Sequence, residues 1–294
     1  MRGIPDKLAL IAFTALSVYL IFFDVMAVLL RLFGSSLPAT VIDDKVHRSK
    51  KGKRIHKLYL ECEDAEGRFV TTKEETMKYA GMPAGMWLLF AGSFKKQLIA
   101  VLGYDNKTAN EITAKARTKY KEIIGSLPEF EKADRFRMNI VNCAMLSAFL
   151  LNMPELPSVE KATEYYRGSM MTGVMKWFCR QSGRKKFTDA DIQGMKDTAA
   201  LKAADRNPYS WNMEFYPYED GSGYEARFTA CGICTLMKEL GLYELVPAMC
   251  RLDYTMSEAG GASEFVREYT LASGGPYCDC GYKKKIPDET REIR

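Results

Sequence analysis

The stretch Trp211-Asn-Met-Glu-Phe-Tyr-Pro-Tyr218-Glu-Asp220-Gly-Ser-Gly-Tyr224-Glu-Ala-Arg-Phe-Thr229 decides the fold class. It is rich in aromatic residues, and Asp220-Gly-Ser-Gly is a turn signal. From Tyr224 onward, apolar and polar residues alternate as they do in a half-buried strand. The stretch therefore predicts a β-hairpin over residues 211–229.

The chain before this hairpin has the pattern of helices. Apolar residues recur at helical spacing from about Thr72 to Ala204, and Gly and Pro interrupt them. This pattern predicts helices near residues 73–80, 92–103, 107–124, 130–151, 158–181 and 189–204. Further upstream, the alternation of Leu58, Leu60 and Cys62 indicates a short strand.

The chain after the hairpin mixes short helices and strands. Residues Cys231–Leu240 place Ile233, Leu236 and Met237 on one helical stripe, and Gly241 is a typical helix stop. The two cysteines of this helix lie off the stripe. A second short helix is predicted at 243–249, followed by strands at 264–271 and 277–283 that pair with the hairpin.

The predicted fold class is α+β, with an N-terminal hydrophobic helix, a helical middle region and a C-terminal antiparallel sheet with short helices. We divide the chain into a membrane-anchor helix (1–34), a basic linker with short strands (35–71), a helical region (72–204), a site-bearing α+β region (205–285) and a charged tail (286–294).

The N-terminal residues 8–30 predict a membrane helix. Leu8–Phe23 carries no formal charge, and the run continues past Asp24 to Leu30, close to the ~20 residues that span a bilayer. A signal peptide and a buried soluble helix are the alternatives. Positive charge is denser after the run than before it, which predicts a single-pass cell-membrane protein with its main domain on the cytoplasmic side.

Composition excludes some function classes. The net charge of +5 is concentrated in the basic linker and at Lys283–Lys285, which does not favour nucleic-acid binding. His47 and His56 are the two histidines of the chain, and both precede the helical region. A histidine base or a histidine-ligated metal in the C-terminal region is therefore not expected.

The cysteines point to the C-terminal region as the functional part of the chain. Five of the eight are clustered there: Cys231, Cys234, Cys250, Cys278 and Cys280. A chain of 294 residues with 47% apolar residues can fold around its own core without disulfides. We therefore interpret the cysteines as reduced thiols.

These residues fall into one ordered pattern. It runs Cys231-x-x-Cys234, Cys250-x-x-Asp253-Tyr254, Phe265-x-Arg267-x-x-Thr270-x-x-x-Gly274-Gly275 and Cys278-Asp279-Cys280. The pattern resembles the C-terminal signature of the L-2-amino-thiazoline-4-carboxylic acid hydrolase family. That signature has a Cys-x-x-Asp segment, a Phe-x-Arg-x-x-Thr-x-x-x-Gly run and a closing Cys-Asp pair. Cys280 departs from it, because an aromatic residue is commoner there.

The resemblance implies hydrolytic opening of a cyclic amidine to an N-carbamoyl cysteine, by a hydrolase that acts on carbon–nitrogen bonds of cyclic amidines. Such chemistry needs a nucleophile, a proton donor and a grip on the substrate carboxylate. We predict Cys250 or Cys278 as the thiolate, and Asp253 and Asp279 as partners of the amidinium. The predicted substrate-binding residues are Arg267, Tyr254, Gly274 and Gly275.

Two other classes of function remain open. Cys231, Cys234, Cys278 and Cys280 are four sulfurs that suit zinc or an iron–sulfur centre, although Cys-x-Cys is not the spacing of a zinc knuckle. A non-catalytic small-molecule-binding or scaffold protein at the membrane is the other alternative. We predict a small-molecule substrate and no cofactor, with zinc as the alternative, and the sequence leaves the oligomeric state open.

Overall fold

The structure is a computed structural model, and it describes residues 40–48, 54–63, 69–74, 76–130, 134–203, 205 and 207–285. The first described elements are the strands β1 (Thr40–Arg48), β2 (Arg54–Glu63) and β3 (Phe69–Glu74). They form an antiparallel sheet in the order β1-β2-β3. The predicted strand around Leu58 lies within β2.

Six helices follow, and the helical character of the middle region agrees with its pattern. They are α1 (Met82–Ala100), α2 (Asn106–Ser126), α3 (Arg137–Leu150), α4 (Val159–Met170), α5 (Gly173–Gly183) and α6 (Asp189–Lys202). The predicted helix at 73–80 is wrong, because β3 continues to Glu74 and α1 begins only at Met82. The predicted helix at 158–181 is two helices, because Thr172 caps α5 by accepting a hydrogen bond from the amide of Met175.

Helix α3 is the centre of the helical layer. All of its residues from Cys143 to Leu150 are buried, so this helix is enclosed on every side. Phe149 stacks on Trp87 and Phe94 of α1, with ring centroids 5.7 and 4.9 Å apart. On another side, α3 packs against the C-terminal region. The functional part of the chain is therefore supported by a rigid aromatic core.

The C-terminal region contains a four-stranded antiparallel sheet. Its strands are β4 (Glu214–Pro217), β5 (Gly223–Phe228), β6 (Ser263–Val266) and β7 (Cys278–Lys284), in the order β4-β5-β7-β6. The helices α7 (Gly232–Glu239), α8 (Val246–Cys250) and α9 (Leu252–Gly260) and two 3-10 turns (Tyr243–Leu245 and Leu271–Ser273) connect them. The predicted hairpin and its pairing with the later strands are confirmed, and so is the α+β class.

One buried ionic cluster fixes the start of this region. Lys202, at the end of α6, is 2% exposed, and its ammonium group contacts the carboxylates of Asp134 and Asp205 and the hydroxyl of Ser210. Ser210 also donates a hydrogen bond of 2.7 Å to Asp134. Because a buried charge is tolerated only when it is paired, this cluster holds the entry to the hairpin against α3 and α6.

The prediction of a single-pass membrane protein is corrected. The part of the chain that the structure describes contains no helix with both the length and the apolarity to cross a bilayer. Helix α2 has 21 residues, but lysine, arginine and glutamate side chains cover its exposed face. The predicted membrane helix at 8–30 lies outside the described residues. The predictions of a membrane partner and of a cytoplasmic orientation are corrected on the same finding.

Candidate functional site

Arg267 is the centre of the candidate site. The strand predicted at 264–271 ends at Val266. It ends there because the carboxylate of Asp279 forms hydrogen bonds with backbone amides of the residues that follow Arg267. Its oxygens accept hydrogen bonds of 2.7 and 2.6 Å from the amides of Glu268 and Tyr269. These bonds turn the chain away from β7. Asp279, predicted as a catalytic group, thus shapes the loop that follows Arg267.

The Arg267 guanidinium forms hydrogen bonds with groups on three elements. It donates to the Cys250 carbonyl at 3.0 Å, to the Asp253 carboxylate at 2.7 Å and to the Cys280 sulfur at 2.8 Å. It also lies over the Phe265 ring, 4.6 Å from its centroid. We call Cys250, Asp253, Arg267 and Cys280 the Arg267 cluster. Its members lie on α8, α9, the loop after β6, and β7, respectively.

Arg267 stays charged within this cluster. Its side chain is 6% exposed, and burial alone lowers its pKa. The Cys280 sulfur and the Asp253 carboxylate act in the opposite direction and hold the pKa of Arg267 above its ordinary value. Its Nε atom is buried and finds no acceptor in the described part of the chain. Arg267 therefore holds a fixed positive charge, and Nε is its one nitrogen without a partner among the described residues.

Asp253 is the accessible member of the cluster. It lies in the first turn of α9, and its side chain is 41% exposed. Oδ2 binds Arg267, whereas no donor among the described residues bonds Oδ1. The neighbouring Tyr254 is exposed and packs edge-to-face on Phe265, with the centroids 4.8 Å apart. Arg267 thus fixes the orientation of a carboxylate that is partly exposed to solvent.

The cysteines of the site are protonated in this environment. Burial raises the pKa values of Cys250 and Cys278 above their ordinary value, and it raises that of Cys280 to about 12. The nearby Arg267 opposes this effect without overcoming it. The Cys278 sulfur accepts a hydrogen bond of 3.2 Å from the amide of Leu271. A thiolate at any of these positions is therefore disfavoured near neutral pH.

Gly274 and Gly275 form a turn beside the cluster. Gly274 has a φ of 80°, and the amide of Gly275 donates to the Thr270 carbonyl at 2.9 Å. A Cβ atom on Gly275 would lie 2.9 Å from the same carbonyl oxygen. The glycine pair closes the loop that carries Tyr269 and Thr270.

Cys231 and Cys234 lie at the beginning of α7, where Cys231 is the N-cap residue. The neighbouring Cys234 side chain and the backbone amides at the start of α7 lower the pKa of Cys231 to about 7 against the effect of burial. The interaction with Cys231 and burial raise the pKa of Cys234. Both cysteines are half-buried and pack against the hydrophobic core, as does Ile233 of the predicted stripe.

The alternative four-thiolate site does not have metal-binding geometry. Among the described residues, no group of three or more histidine, cysteine, aspartate and glutamate side chains is arranged to hold a metal ion. The sulfurs of Cys278 and Cys280 are instead bonded to the Leu271 amide and to Arg267. The seven cysteines whose side chains are described form no disulfide with one another.

Two open pockets meet at Arg267. The smaller has a volume of about 290 Å³ and is lined by Tyr254, Arg267, Glu268, Tyr269, Thr270, Ser273 and Gly275. The larger, of about 590 Å³, lies along the outer sheet face and is lined by Tyr218, Glu219, Asp220, Ser222, Glu225, Val266, Arg267, Glu268, Asp279 and Lys283. Carboxylates outnumber basic groups in the larger pocket. Both pockets are large enough for a small polar ring.

Two groups near the site have no sequence signal. The Lys186 ammonium lies 3.2 Å from the centroid of the Tyr282 ring, and burial lowers the pKa of Lys186 to about 8. The Tyr243 hydroxyl donates at 3.1 Å to the carbonyl of Leu271, whose amide donates to the Cys278 sulfur. Both residues come from segments far from Arg267 in sequence, so spacing could not reveal them.

The comparisons with known proteins agree with the sequence pattern. Residues 138–282 match the family model described as L-2-amino-thiazoline-4-carboxylic acid hydrolase. The match begins in α3 and includes the complete Arg267 cluster. No curated protein and no solved structure shows a significant match to the chain.

Proposed function

Because the chain belongs, through residues 138–282, to the L-2-amino-thiazoline-4-carboxylic acid hydrolase family, we propose that it hydrolyses a small cyclic amidine that bears a carboxylate. The observation that carries this proposal is the Arg267–Asp253 ion pair, which lies inside the matched range and beside an open pocket. The substrate class comes from the family, and 2-amino-thiazoline-4-carboxylate is the first compound to test.

Asp253 is the group suited to the amidine. A carboxylate pairs with a planar N–C–N cation through two hydrogen bonds. The unbonded and accessible Oδ1 of Asp253 can accept from such a cation, or from the water that attacks it, while Oδ2 stays on Arg267. We assign to Asp253 the roles of binding the amidinium and moving the proton of that water.

Arg267 is suited to the substrate carboxylate through its positive charge, because its side chain lines both open pockets. Three of its hydrogen bonds are made within the protein, and they hold the guanidinium in place. In this proposal Arg267 orients Asp253 and also helps to bind the anionic end of the ring.

The nucleophile in this proposal is water. The thiolate hypothesis for Cys250 and Cys278 requires deprotonation that burial disfavours at both positions. Water adds to the amidine carbon and gives a proton to Asp253, the ring carbon–sulfur bond breaks, and the departing sulfur takes up this proton as a free thiol. Cys250 and Cys278 then serve as packing and hydrogen-bonding groups around Arg267.

The test is turnover by the purified full chain. We expect 2-amino-thiazoline-4-carboxylate to be consumed and a free thiol to appear in equal amount, measured by mass spectrometry and thiol titration. The same ring without its carboxylate should be a poorer substrate, because it cannot engage Arg267. If no carboxylated cyclic amidine is turned over while one of them binds in calorimetry, the protein is a binding protein and the proposal is wrong.

A further inference from the structure

Lys186 is a half-buried cation that the proposed hydrolysis does not use. It lies in the turn between α5 and α6. Its ammonium group is 3.2 Å from the centroid of the Tyr282 ring and 5.2 Å from that of the Tyr224 ring. Within the described part of the chain, Lys186 forms no ion pair and no hydrogen bond. Because aromatic rings compensate a positive charge only in part, Lys186 keeps its capacity to bind an anion.

A strained turn holds Lys186 in this position. The next residue, Phe187, has a φ of 64°, which is the left-handed region that side chains with a Cβ rarely adopt. Its amide donates to the Asp191 carboxylate at 2.8 Å, and its ring lies 5.4 Å from that of Tyr224. The Tyr224 hydroxyl donates to the same Asp191 oxygen at 2.7 Å. Backbone strain that is fixed by surrounding contacts is typical of functional sites.

An aromatic surface joins Lys186 to the Arg267 cluster. Tyr282 of β7 is paired directly with Phe265 of β6, and their ring centroids are 5.1 Å apart. The Arg267 guanidinium lies over the Phe265 ring, 4.6 Å from its centroid. Cys280, which accepts a hydrogen bond from Arg267, precedes Tyr282 by two residues and lies on the same face of β7. Lys186 and Arg267 therefore lie against two neighbouring rings of one surface.

The two cations differ in what they bind within the protein. Arg267 donates to three protein acceptors, whereas Lys186 has none in the described chain. Burial lowers the pKa of Lys186 to about 8 against the effect of Asp191 and Cys280, so the ammonium group remains mostly charged near neutral pH. The aromatic surface thus lies near one partly exposed carboxylate, that of Asp253, and one cation without an acidic partner among the described residues.

We propose that Lys186 binds the carboxylate of the substrate, so that the site selects a small zwitterionic ring with its cationic end at Asp253 and its anionic end at Lys186. This inference rests on the proposed function, because the family supplies the carboxylated amidine. Lys186 makes the direct ion pair with this carboxylate, and Arg267 adds its charge from the neighbouring ring. A ring with one charge leaves Asp253 or Lys186 unpaired in a partly desolvated site, which is unfavourable.

The test uses a ligand that resists hydrolysis, so it does not depend on turnover. 2-Amino-imidazoline-4-carboxylate is a cyclic guanidine that keeps the planar N–C–N cation and the carboxylate, and 2-amino-imidazoline lacks only the carboxylate. In calorimetry with the full-length protein, we expect the carboxylated compound to bind about 10- to 100-fold more tightly, the usual effect of a charged hydrogen bond. Equal affinity of the two compounds, or no measurable binding of the carboxylated one, would overturn the inference.

Three variants test the assignment to Lys186. Lys186→Met removes the charge and keeps the length of the side chain. It should weaken binding of the carboxylated guanidine about 10- to 100-fold and change binding of 2-amino-imidazoline by less than about twofold. Lys186→Arg retains the charge and should recover most of the affinity. Lys185→Met, at an exposed position of the same turn, is the matched control and should bind like the natural protein. Unchanged binding in Lys186→Met, or equal weakening for both compounds, would contradict the assignment.

The inference and the proposed hydrolysis fail separately. If the thiazoline carboxylate is not hydrolysed but the guanidine still needs Lys186 for binding, the hydrolase proposal is wrong and the role of Lys186 stands. If hydrolysis proceeds, Lys186→Met should raise KM about tenfold or more and change kcat by less than about threefold, because the carboxylate is bound equally in the ground state and the transition state. An active Lys186→Met variant with an unchanged KM would remove Lys186 from the site and leave the hydrolysis in place.

Discussion

The Nη2 atom of Arg267 lies 2.7 Å from Oδ2 of Asp253, and this ion pair joins the loop after β6 to the first turn of α9. One partner is almost completely buried, and the other is partly exposed. Since the buried partner cannot move without losing its other bonds, it holds the exposed carboxylate in a fixed direction. This is the arrangement expected of a positioned acid–base group.

We expect Asp253→Asn to lower kcat/KM for the cyclic amidine by about 10²- to 10⁴-fold, the usual contribution of a general acid–base group. The amide cannot take up a proton from water, although it can still accept from Arg267. Glu258→Gln is the matched control, because Glu258 is an exposed acid on the same helix. Equal activity of both variants would remove Asp253 from the mechanism.

Arg267→Lys should destabilise the protein by roughly 2–4 kcal/mol in urea denaturation, because an ammonium group cannot reach three acceptors in three directions. Activity should fall as well, since Asp253 loses its orientation. The control is Arg251→Lys at an exposed position, which we expect to change stability by less than about 0.5 kcal/mol. A stable and active Arg267→Lys variant would show that the fork of hydrogen bonds is unimportant.

Cys250→Ala and Cys278→Ala should retain most of the hydrolytic activity if water is the nucleophile, with stability losses of about 1 kcal/mol from the missing sulfur. The thiolate hypothesis drawn from the sequence predicts complete loss of turnover with the fold intact. Steady-state kinetics with circular dichroism on the same samples separates the two mechanisms. A folded but inactive variant at either position would restore the thiol nucleophile.

Lys202→Met should cost about 3–5 kcal/mol of stability, because it leaves the Asp134 carboxylate buried without a cation. Adding Asp134→Asn to this variant should recover part of the loss. Lys196→Met, at an exposed position of α6, is the control. Thermal and urea unfolding would measure the differences, and an unchanged midpoint in Lys202→Met would contradict the role of the cluster.

Gly232→Ala should be destabilised by about 1–3 kcal/mol, since the added methyl group would meet the Tyr209 carbonyl. Gly92→Ala provides the matched control within α1, where nothing lies within 4 Å of the added carbon. There alanine should stabilise the helix by up to about 1 kcal/mol. We expect urea denaturation to show changes of opposite sign in the free energy of unfolding of these two variants.

Much of the fold followed from local patterns. Helices α2 and α6 begin within two residues of their predicted starts, at the capping residues Asp105 and Thr188. The hairpin of β4 and β5 followed from the Asp220-Gly-Ser-Gly turn and the alternation after it. The strand after Gly261 was predicted too long, because its end depends on Asp279, a residue from a different strand.

The candidate site was only partly predictable. The cysteine, aspartate and arginine residues are recognisable from their spacing, and that spacing also identified the family. Their division of roles depends on burial, which raises the pKa of Cys250 and leaves Asp253 accessible. Lys186 and Tyr243 reach the site through tertiary packing alone.

The sequence by itself determined the α+β class, the reduced cysteines and the set of residues from which the site is built, because periodicity, turn chemistry and short spacings act over a few neighbouring residues. Only the tertiary structure decided which sulfur is acidic, which carboxylate is exposed and what Arg267 binds. These properties depend on solvent exclusion and on contacts between residues distant in the chain, and no local pattern encodes them.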